Sequence, residues 1–319
     1  MPEALFVSYA QHGEDVVLWR ALRDIPNGRY VEVGANHPTD LSITRAFYDR
    51  GWSGVTIDPV ASFAALHRRA RPRDTFVQAA VTNEDVENVV LNEFPETGLS
   101  TLDAEITERH DAAGHPHHAT TVRARRLDAI LDDAGLAGKE IHFITVDTEG
   151  SERAVLQSLD LTHWRPWILV VESTVPLGTA QTHDSWEPAL LAAGYTFCMF
   201  DGLSRYYVAD EHKAHLGPRL SYPACPLDLY ARQDTLAAKR TIDELTEARD
   251  TATDELIRWR TEAIARWSHV LSSSSSVEVE GLRRQVAELS HDLVATRATL
   301  SWRITAPLRA GRRLFGRGA

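Results

Sequence analysis

Cysteine is nearly absent from this chain: the 319 residues contain only Cys198 and Cys225. Two cysteines this far apart in sequence form neither a C-x-x-C motif nor a disulfide framework. The sequence also lacks an apolar run of about eighteen residues and a charged-then-apolar leader, which are the signals of a membrane-spanning helix and of export. We therefore expect a protein of the reducing cytoplasm.

Basic charge is also scarce. The formal net charge is −11, and this acidic balance argues against nonspecific binding to nucleic acid. The charge is unevenly distributed, because the last 19 residues carry five arginines and no acidic residue. With 43 % hydrophobic residues, the chain can bury one α/β core and leave roughly 80 residues for an appendage.

Short apolar runs alternate with helix-like stretches such as Ser62–Arg71 and Ser151–Leu159. The alternation predicts a parallel sheet, and the continuous apolarity of the strands predicts helices on both faces. The predicted strands are Arg29–Gly34, Gly54–Asp58, Thr75–Val81, Ile141–Asp147 and Trp167–Glu172.

The first predicted strand runs into a turn with a single glycine, Gly34, and the second ends at Asp58. In a doubly wound sheet a cofactor binds at the first such turn, and an acid at the end of the second strand accepts hydrogen bonds from a ribose. A dinucleotide site needs G-x-G-x-x-G, but Asn36 and Thr39 stand where the second and third glycines would be. The turn therefore favours a nucleoside without a pyrophosphate, such as S-adenosylmethionine, over NAD or FAD.

Five short motifs occur in one order along the chain. They are Ser8–Asp15, Tyr30–Asn36, Phe47–Gly54, Asp58–Pro59 and Asp147–Gly150. Together they resemble the FkbM-type methyltransferases over roughly residues 5–232. The resemblance implies methyl transfer from S-adenosylmethionine, usually to a hydroxyl of a sugar or polyketide-like product, on a Rossmann-like seven-stranded sheet. Glu32 and Ser204 depart from the family, which often has Asp and Asn at these positions.

The cofactor is predicted to contact three groups of residues. The strand-end acids would hold the nucleoside, and the glycine turn would lie along the methionine portion. Polar residues near the N-terminus would close the site, although a solvated helix start would explain the same cluster. The predicted cofactor-binding residues are Gln11, Glu14, Asp15, Glu32, Gly34, Ala35, Asn36 and Asp58.

Acidic residues at two further strand ends are predicted to serve the acceptor. Asp147 and Glu149 follow the fourth strand and Glu172 ends the fifth, which is its neighbour in this fold. Their oxygens suit Mg²⁺, which would bind sugar hydroxyls and favour their deprotonation. We predict Asp147 and Glu149 as catalytic residues and all three as metal ligands. Without a metal, Asp147 would still orient the acceptor hydroxyl.

Methyl transfer to a hydroxyl also requires a base. Among fourteen histidines, we predict His183, in the loop after the fifth strand, as the base and His12 as the second choice. His115, His117 and His118 crowd a loop with Gly and Pro. We expect this loop to be solvated and to face the acceptor, because no acid or cysteine completes a tetrahedral metal set.

Beyond residue 232 the composition becomes rich in Ala, Glu, Arg, Leu and Thr, which predicts a helical extension over 233–300. An apolar seam with alternating steps of four and three predicts a coiled coil that joins copies or partners through 236–300. The stretch Ile242–Trp259 is less regular and is equally compatible with packing on the catalytic domain. The seam residues are Leu282, Val286, Leu289, Leu293, Thr296 and Leu300.

The segment 301–319 segregates basic from apolar residues when wound as a helix, which is typical of a helix in an anionic membrane interface. A disordered arginine-rich terminus is the alternative. Ser301–Arg309 also resembles the tail of bacterial enzymes of cell-surface polysaccharide assembly, which implies a glycan or glycolipid acceptor at the inner face of the membrane. The basic residues are Arg309, Arg312, Arg313 and Arg317, and the apolar half contains Leu308, Gly311, Leu314 and Phe315.

The sequence thus predicts an α/β methyltransferase domain over 1–232, a helical or coiled-coil extension over 233–300 and a basic amphipathic tail over 301–319. The expected function is O-methylation of a sugar hydroxyl in cell-surface polysaccharide biosynthesis, in the cytoplasm or on the inner face of the plasma membrane. Two alternatives stay open: an NAD(P)-dependent oxidoreductase, and a catalytically inactive nucleoside-binding scaffold that recruits partners through its coiled coil.

Overall fold

The computed structural model describes residues 5–95, 97–273 and 276–305. The chain divides into two compact units, Met1–Ala238 and Lys239–Ala319. The strands are β1 (Phe6–Ser8), β2 (Arg29–Val33), β3 (Ser53–Ile57), β4 (Thr75–Val77), β5 (Ala80–Val81), β6 (Asn88–Glu93), β7 (His118–Arg125), β8 (Phe143–Val146), β9 (Ile168–Glu172), β10 (Tyr195–Phe200), β11 (Ser204–Ala209) and β12 (Tyr230–Arg232). The helices are α1 (Glu14–Leu22), α2 (Arg45–Tyr48), α3 (Ala61–Ala70), α4 (Ala104–Ala112), α5 (Leu127–Asp133), α6 (Glu152–Gln157), α7 (Glu187–Ala192), α8 (Lys213–Leu216), α9 (Gln233–Ser273), α10 (Ser276–Ala298) and α11 (Leu300–Ile304).

A seven-stranded sheet in the order β10-β11-β9-β8-β2-β3-β4 forms the centre of the first unit. Strands β4, β3, β2, β8 and β9 are parallel to one another, whereas β11 runs antiparallel to both β9 and β10. The predicted Rossmann-like methyltransferase sheet is therefore confirmed. Its order reverses at β2 and β8, which is the position where open α/β sheets bind ligands.

Both faces of the sheet carry apolar side chains. Along β9, Ile168 and Val170 belong to one buried cluster, and Leu169 and Val171 belong to the other. Successive side chains of a strand point to opposite faces, so this division means that both faces are covered. The predicted layers of helices on both faces follow from this pattern.

The predicted strand Thr75–Val81 is wrong as a single element. The structure divides it into β4, which pairs with β3, and β5, which pairs with β7 in a separate three-stranded sheet ordered β5-β7-β6. Thr75 and Gln78 in this run are polar and exposed, whereas Ala80 and Val81 are buried, and the hydrophobic pattern does not show which sheet each half joins. This second sheet contributes one wall of the cavity described below.

The described part of the C-terminal region is helical, as predicted. The seam, however, does not extend to Leu300 on one helix, because α10 ends at Ala298 and Thr299 has extended backbone with φ −60° and ψ 152°. Thr299 Oγ1 donates a hydrogen bond to the Thr296 carbonyl, a local bond that competes with the helical pattern. None of the described helices is long and apolar enough to cross a membrane. The tail residues from position 306 onward lie outside the described residues, so the prediction of a membrane-binding helix stays a prediction.

Candidate active site

A cavity of about 1050 Å³ opens at the carboxyl ends of the central parallel strands. Its lining includes the residues that directly follow β2, β3 and β8, together with Glu172 at the end of β9. A wall from β6 and the loop after it completes the cavity with Glu93, Phe94 and Leu102. The volume is that of a site for one or two small molecules.

Gly34 permits the tight turn at the floor of this cavity. Its φ is +84°, and a Cβ built on it would lie 1.6 Å from the carbonyl oxygen of Asp147. Both the backbone conformation and the close approach of β8 therefore require glycine. The N–H groups of Gly34 and Ala35 donate to the Ile57 carbonyl at 3.0 Å, which joins the turn to the end of β3.

Asp58 lies buried beside this turn. Its two carboxylate oxygens accept hydrogen bonds from the backbone N–H groups of Asn36 and Val60, each at 2.8 Å. Burial raises the pKa of Asp58 to about 6, against the lowering effect of these two bonds. A carboxylate oxygen accepts more than one hydrogen bond, so Asp58 retains acceptor capacity for a ligand in the cavity.

Glu32 also lines the cavity, but its carboxylate is already engaged by the protein. Its oxygens accept from the Ile43 N–H and the Thr44 hydroxyl, and Arg71 lies 3.5 Å away. Arg71 in turn bonds Asp74 at 2.7 Å. This buried network fixes the segment after the glycine turn, and we expect positioning of that segment to be the main role of Glu32.

The N-terminal motif contributes one residue to the cavity, Gln11. Its acidic pair, Glu14 and Asp15, is buried outside the cavity lining, so the cofactor-binding role predicted for the pair stays a prediction that this placement does not support. Asp15 accepts from the Ser8 hydroxyl at 2.7 Å and from the Tyr9 N–H at 2.7 Å. The two carboxylates thus accept hydrogen bonds from backbone N–H groups of the segment before α1. A sequence motif does not distinguish this structural role from ligand binding.

Three carboxylates converge after β8 and β9. Ligand atoms of Asp147, Glu149 and Glu172 lie within 4.8 Å of one another. Glu172 is only 8 % exposed, and its Oε2, like that of Glu149, is buried and has no hydrogen-bond partner among the described residues. Burial is the largest cause that raises the pKa of all three, and for the two glutamates neighbouring carboxylates add to it. Such a cluster provides acceptor oxygens for hydroxyl groups or for a cation.

The loop that carries Glu149 is held in an uncommon conformation. Glu149 has φ +49°, and its carbonyl accepts a hydrogen bond from Thr101 Oγ1 at 2.7 Å. Glu152 accepts from the N–H groups of Thr148 and Gly150 at 3.1 and 3.0 Å. Left-handed backbone at a glutamate is costly and tends to occur at functional sites. Sequence reasoning missed Thr101 and Glu152, although Glu152 directly follows the Asp147–Gly150 motif.

The structure does not bring His183 into the cavity lining, so its role as the base stays a prediction that this placement does not support. His183 Nε2 lies 3.4 Å from Asp184 and 3.8 Å from Glu187, and Glu187 accepts from the Tyr207 hydroxyl. His12, the second choice, also lies outside the lining, with Nε2 3.2 Å from the Asp201 carbonyl. The loop after β9 turns back on itself, so proximity in sequence to Glu172 did not imply proximity to the site.

Two other histidines do line the cavity. His115 and His118 come from the connection between α4 and β7, and His118 Nε2 lies 3.5 Å from Glu93. Two residues of the predicted loop thus line the cavity, and the prediction that the loop faces the acceptor stays a prediction. Glu93 was missed, because its pairing with His118 across β6 and β7 is set by strand register.

Apart from two histidines, the ionisable side chains that line the described cavity are all carboxylates, and the lining contains neither lysine nor arginine. Such a lining disfavours a ligand with a phosphate or a carboxylate near these acids. The lining carboxylates are Glu32, Asp40, Asp58, Glu93, Asp147, Glu149 and Glu172.

The fold and this site are those of a Rossmann-like α/β enzyme with its pocket at the carboxyl edge of the sheet. Residues 32–197 match the family described as "Methyltransferase FkbM domain". The match spans more than half of the chain, and the protein therefore belongs to the FkbM methyltransferase family.

Three solved structures are similar to this chain, each aligned over 62 % of it. A protein from Corynebacterium glutamicum is 12 % identical with a TM-score of 0.33 over 79 % of its own chain. A SAM-dependent methyltransferase from Geobacter sulfurreducens, in complex with S-adenosyl-L-homocysteine, is 15 % identical with a TM-score of 0.31 over 69 % of its chain. The Burkholderia thailandensis 1,6-didemethyltoxoflavin-N1-methyltransferase is 14 % identical with a TM-score of 0.31 over 77 % of its chain. A search of curated proteins gave no match.

Proposed function

We propose that this protein is an S-adenosylmethionine-dependent O-methyltransferase that acts on a sugar hydroxyl of a glycan or glycolipid. The observation that carries the proposal is that one cavity is lined both by Asp58 with the Gly34–Asn36 turn and by the cluster of Asp147, Glu149 and Glu172. The first arrangement suits a nucleoside, and the second suits a polyhydroxyl acceptor.

The residues of the turn fit this cofactor. A side chain at Gly34 or Gly98 would intrude on the turn, since Cβ atoms there would lie 1.6 Å from Asp147 O and 2.7 Å from Asn36 Nδ2. Asp58 would accept hydrogen bonds from the ribose hydroxyls, and the turn would lie along the amino-acid portion. When bound, S-adenosylmethionine supplies an electrophilic methyl group on a positively charged sulfur.

The acidic lining argues against the oxidoreductase alternative. A dinucleotide carries a pyrophosphate, which binds to glycine-rich turns and basic groups. The described cavity residues include neither the second and third glycines of that motif nor a lysine or arginine. The inactive-scaffold alternative is disfavoured by the convergence of three buried carboxylates, because an isolated scaffold has no need of such a costly cluster.

The same lining supports a neutral acceptor. Sugar hydroxyls donate hydrogen bonds to carboxylates, whereas an anionic group beside the reacting hydroxyl would be repelled. We propose that Asp147 receives the proton or orients the acceptor hydroxyl, since a buried carboxyl of raised pKa is a stronger base than an exposed one. Glu149 and Glu172 would position the acceptor from either side.

We also propose Asp147, Glu149 and Glu172 as ligands of a divalent cation such as Mg²⁺. The three residues offer hard carboxylate oxygens within 4.8 Å of one another, and such oxygens are the ligands that Mg²⁺ prefers. The unpartnered Oε2 atoms of Glu149 and Glu172 are the atoms that a cation would satisfy. A cation there would withdraw electron density from an acceptor hydroxyl and ease its deprotonation.

Two measurements test the proposal. Calorimetric titration should show binding of S-adenosylhomocysteine and none of NADH. Incubation of candidate glycans with enzyme and S-adenosylmethionine should then give, by mass spectrometry, a product that has gained one methyl group. Tight binding of NADH without binding of S-adenosylhomocysteine would refute the proposal.

A further inference from the structure

Helix α10 carries a regular apolar seam on an exposed surface. Its members are spaced alternately by three and four residues, and Val286, Leu289 and Leu293 are 53 %, 68 % and 54 % exposed. A helix of this length is marginal on its own in water, and a repeated apolar stripe of this kind is normally buried against another helix. The seam within α10 consists of Val279, Leu282, Val286, Leu289, Leu293 and Thr296.

The residue types along the seam indicate how many helices the coiled coil contains. Taking the heptad as abcdefg, Val279 and Val286 occupy a positions, whereas Leu282 and Leu289 occupy d positions. A β-branched residue at a with leucine at d favours a parallel two-stranded coiled coil. Two heptads have this pattern, and the third has Leu293 at a and Thr296 at d, so the seam defines both a partner geometry and a register.

The charges beside the seam indicate the partner and its direction. Asp292 falls at a g position and Arg297 at the e position five residues later, which are the positions that meet across a parallel, in-register pair. Asp292 is 80 % exposed at its side chain, and the ring Nδ1 of His291 lies 3.9 Å from its carboxylate. In an antiparallel pair, g positions face g positions, so Asp292 would not meet this arginine. By symmetry, the parallel pair forms the contact twice.

We propose that α10 is a homodimerisation surface on which two copies of this chain pair in parallel and in register. The occupant of the seam is a second copy, because one helix supplies both halves of the Asp292–Arg297 pair. The proposal does not depend on methyl transfer. It would place two catalytic units in one assembly.

Sedimentation equilibrium of the full chain tests the proposal. We expect a dimer that Leu289→Asp converts to a monomer, while binding of S-adenosylhomocysteine is unchanged because α10 contributes no residue to the cavity lining. Asp292→Lys and Arg297→Glu should each weaken the dimer about tenfold, and the double variant should restore it. Glu288→Lys is the matched control, since it makes the same change of charge at an outward c position and should leave the dimer unaffected.

A cysteine at the end of the seam tests the direction. Thr296→Cys should form a disulfide between positions 296 of two copies under mild oxidation, because d positions face each other in a parallel pair. The unmodified chain controls for Cys198 and Cys225. A monomeric full chain, a dimer that tolerates Leu289→Asp, or a dimer with neither charge rescue nor the disulfide at 296 would each overturn the proposal.

Discussion

Gly34 and Asp147 approach so closely that a methyl group on Gly34 would stand 1.6 Å from the Asp147 carbonyl oxygen. The two residues end neighbouring parallel strands, β2 and β8, which pair from Tyr30 to Val33. One contact therefore joins the turn proposed for the cofactor to the acid proposed for the acceptor. Any residue other than glycine at position 34 would separate the two halves of the site.

Gly34→Ala should destabilise the protein by about 3 kcal/mol or more, since strained backbone and overpacking against a main-chain atom add together. Gly135→Ala is the control, because Gly135 also has positive φ (+67°) but a Cβ there would meet nothing within 4 Å. Its cost should be about 1 kcal/mol, from backbone strain alone. Urea denaturation measures both, and equal losses would contradict the packing argument.

Asp58→Asn should weaken binding of S-adenosylhomocysteine by about 1.5–3 kcal/mol, which is typical of a hydrogen bond to a charged group. Asp40→Asn provides a control with an exposed carboxylate at the same cavity. Calorimetric titration of both variants tests this. Equal losses would indicate a general effect of charge, not a specific contact at Asp58.

The affinity of the unmodified protein for S-adenosylhomocysteine should also depend on pH through Asp58. Burial raises its pKa from 3.8 to about 6 in the folded protein, so its carboxylate becomes fully charged only above that pH. Affinity should rise between pH 5 and pH 7 and should be flatter in Asp58→Asn. The stability of the unliganded protein should change in the opposite sense, because a carboxyl with raised folded pKa loses its stabilising contribution as pH rises from about 4 through 6.

Glu172→Gln should abolish methyl transfer and yet raise the thermal stability of the unliganded protein. A neutral amide at this position does not carry the charge that burial and the neighbouring Asp147 and Glu149 disfavour, and relief of that cost is worth about 1–3 kcal/mol. Calorimetric melting and cofactor titration should show a higher Tm with little change in cofactor affinity. A lower Tm would mean that Glu172 is a structural anchor and not a strained functional group.

Mg²⁺ or Mn²⁺ should raise the Tm of the unmodified protein, and more so at higher cation concentration, because a ligand that binds only the folded state stabilises it. The rise should vanish in Glu172→Gln and persist in Glu93→Gln, which changes an acid of the same cavity outside the cluster. Thermal melting in chelator and in added cation measures this without any acceptor. The metal proposal fails if Glu93→Gln and Glu172→Gln respond alike.

His183→Ala should retain methyl transfer within about threefold, because its ring contacts Asp184 and Glu187 and does not line the cavity. Asp147→Asn should instead lower the rate by about 10²–10⁴, the range typical of losing a general base. Initial rates on one acceptor compare the two variants. A large loss at His183 with Asp147→Asn active would reverse the assignment.

The sequence by itself determined that the protein has a parallel sheet and that the acidic residues lie at the carboxyl ends of its strands. Continuous apolar strands alternating with helices require a parallel sheet covered on both faces, and the acids that end those strands must then gather at one edge. Gly34, Asp58, Asp147 and Glu172 could all be predicted on this basis, since each directly ends or follows a strand.

Only the tertiary structure decided which polar residues reach the cavity. Asp15 and Glu14 were predicted to bind the cofactor, but their carboxylates accept hydrogen bonds from nearby backbone N–H groups. His183 lies in the loop after β9 and does not line the cavity. Glu93 reaches the cavity from the separate sheet, and Thr101, in the loop after that sheet, bonds the Glu149 carbonyl. The placement of both depends on strand register and on long-range packing. A side chain in a loop is directed by contacts that arise only after the chain has folded, and no periodicity in the sequence records them.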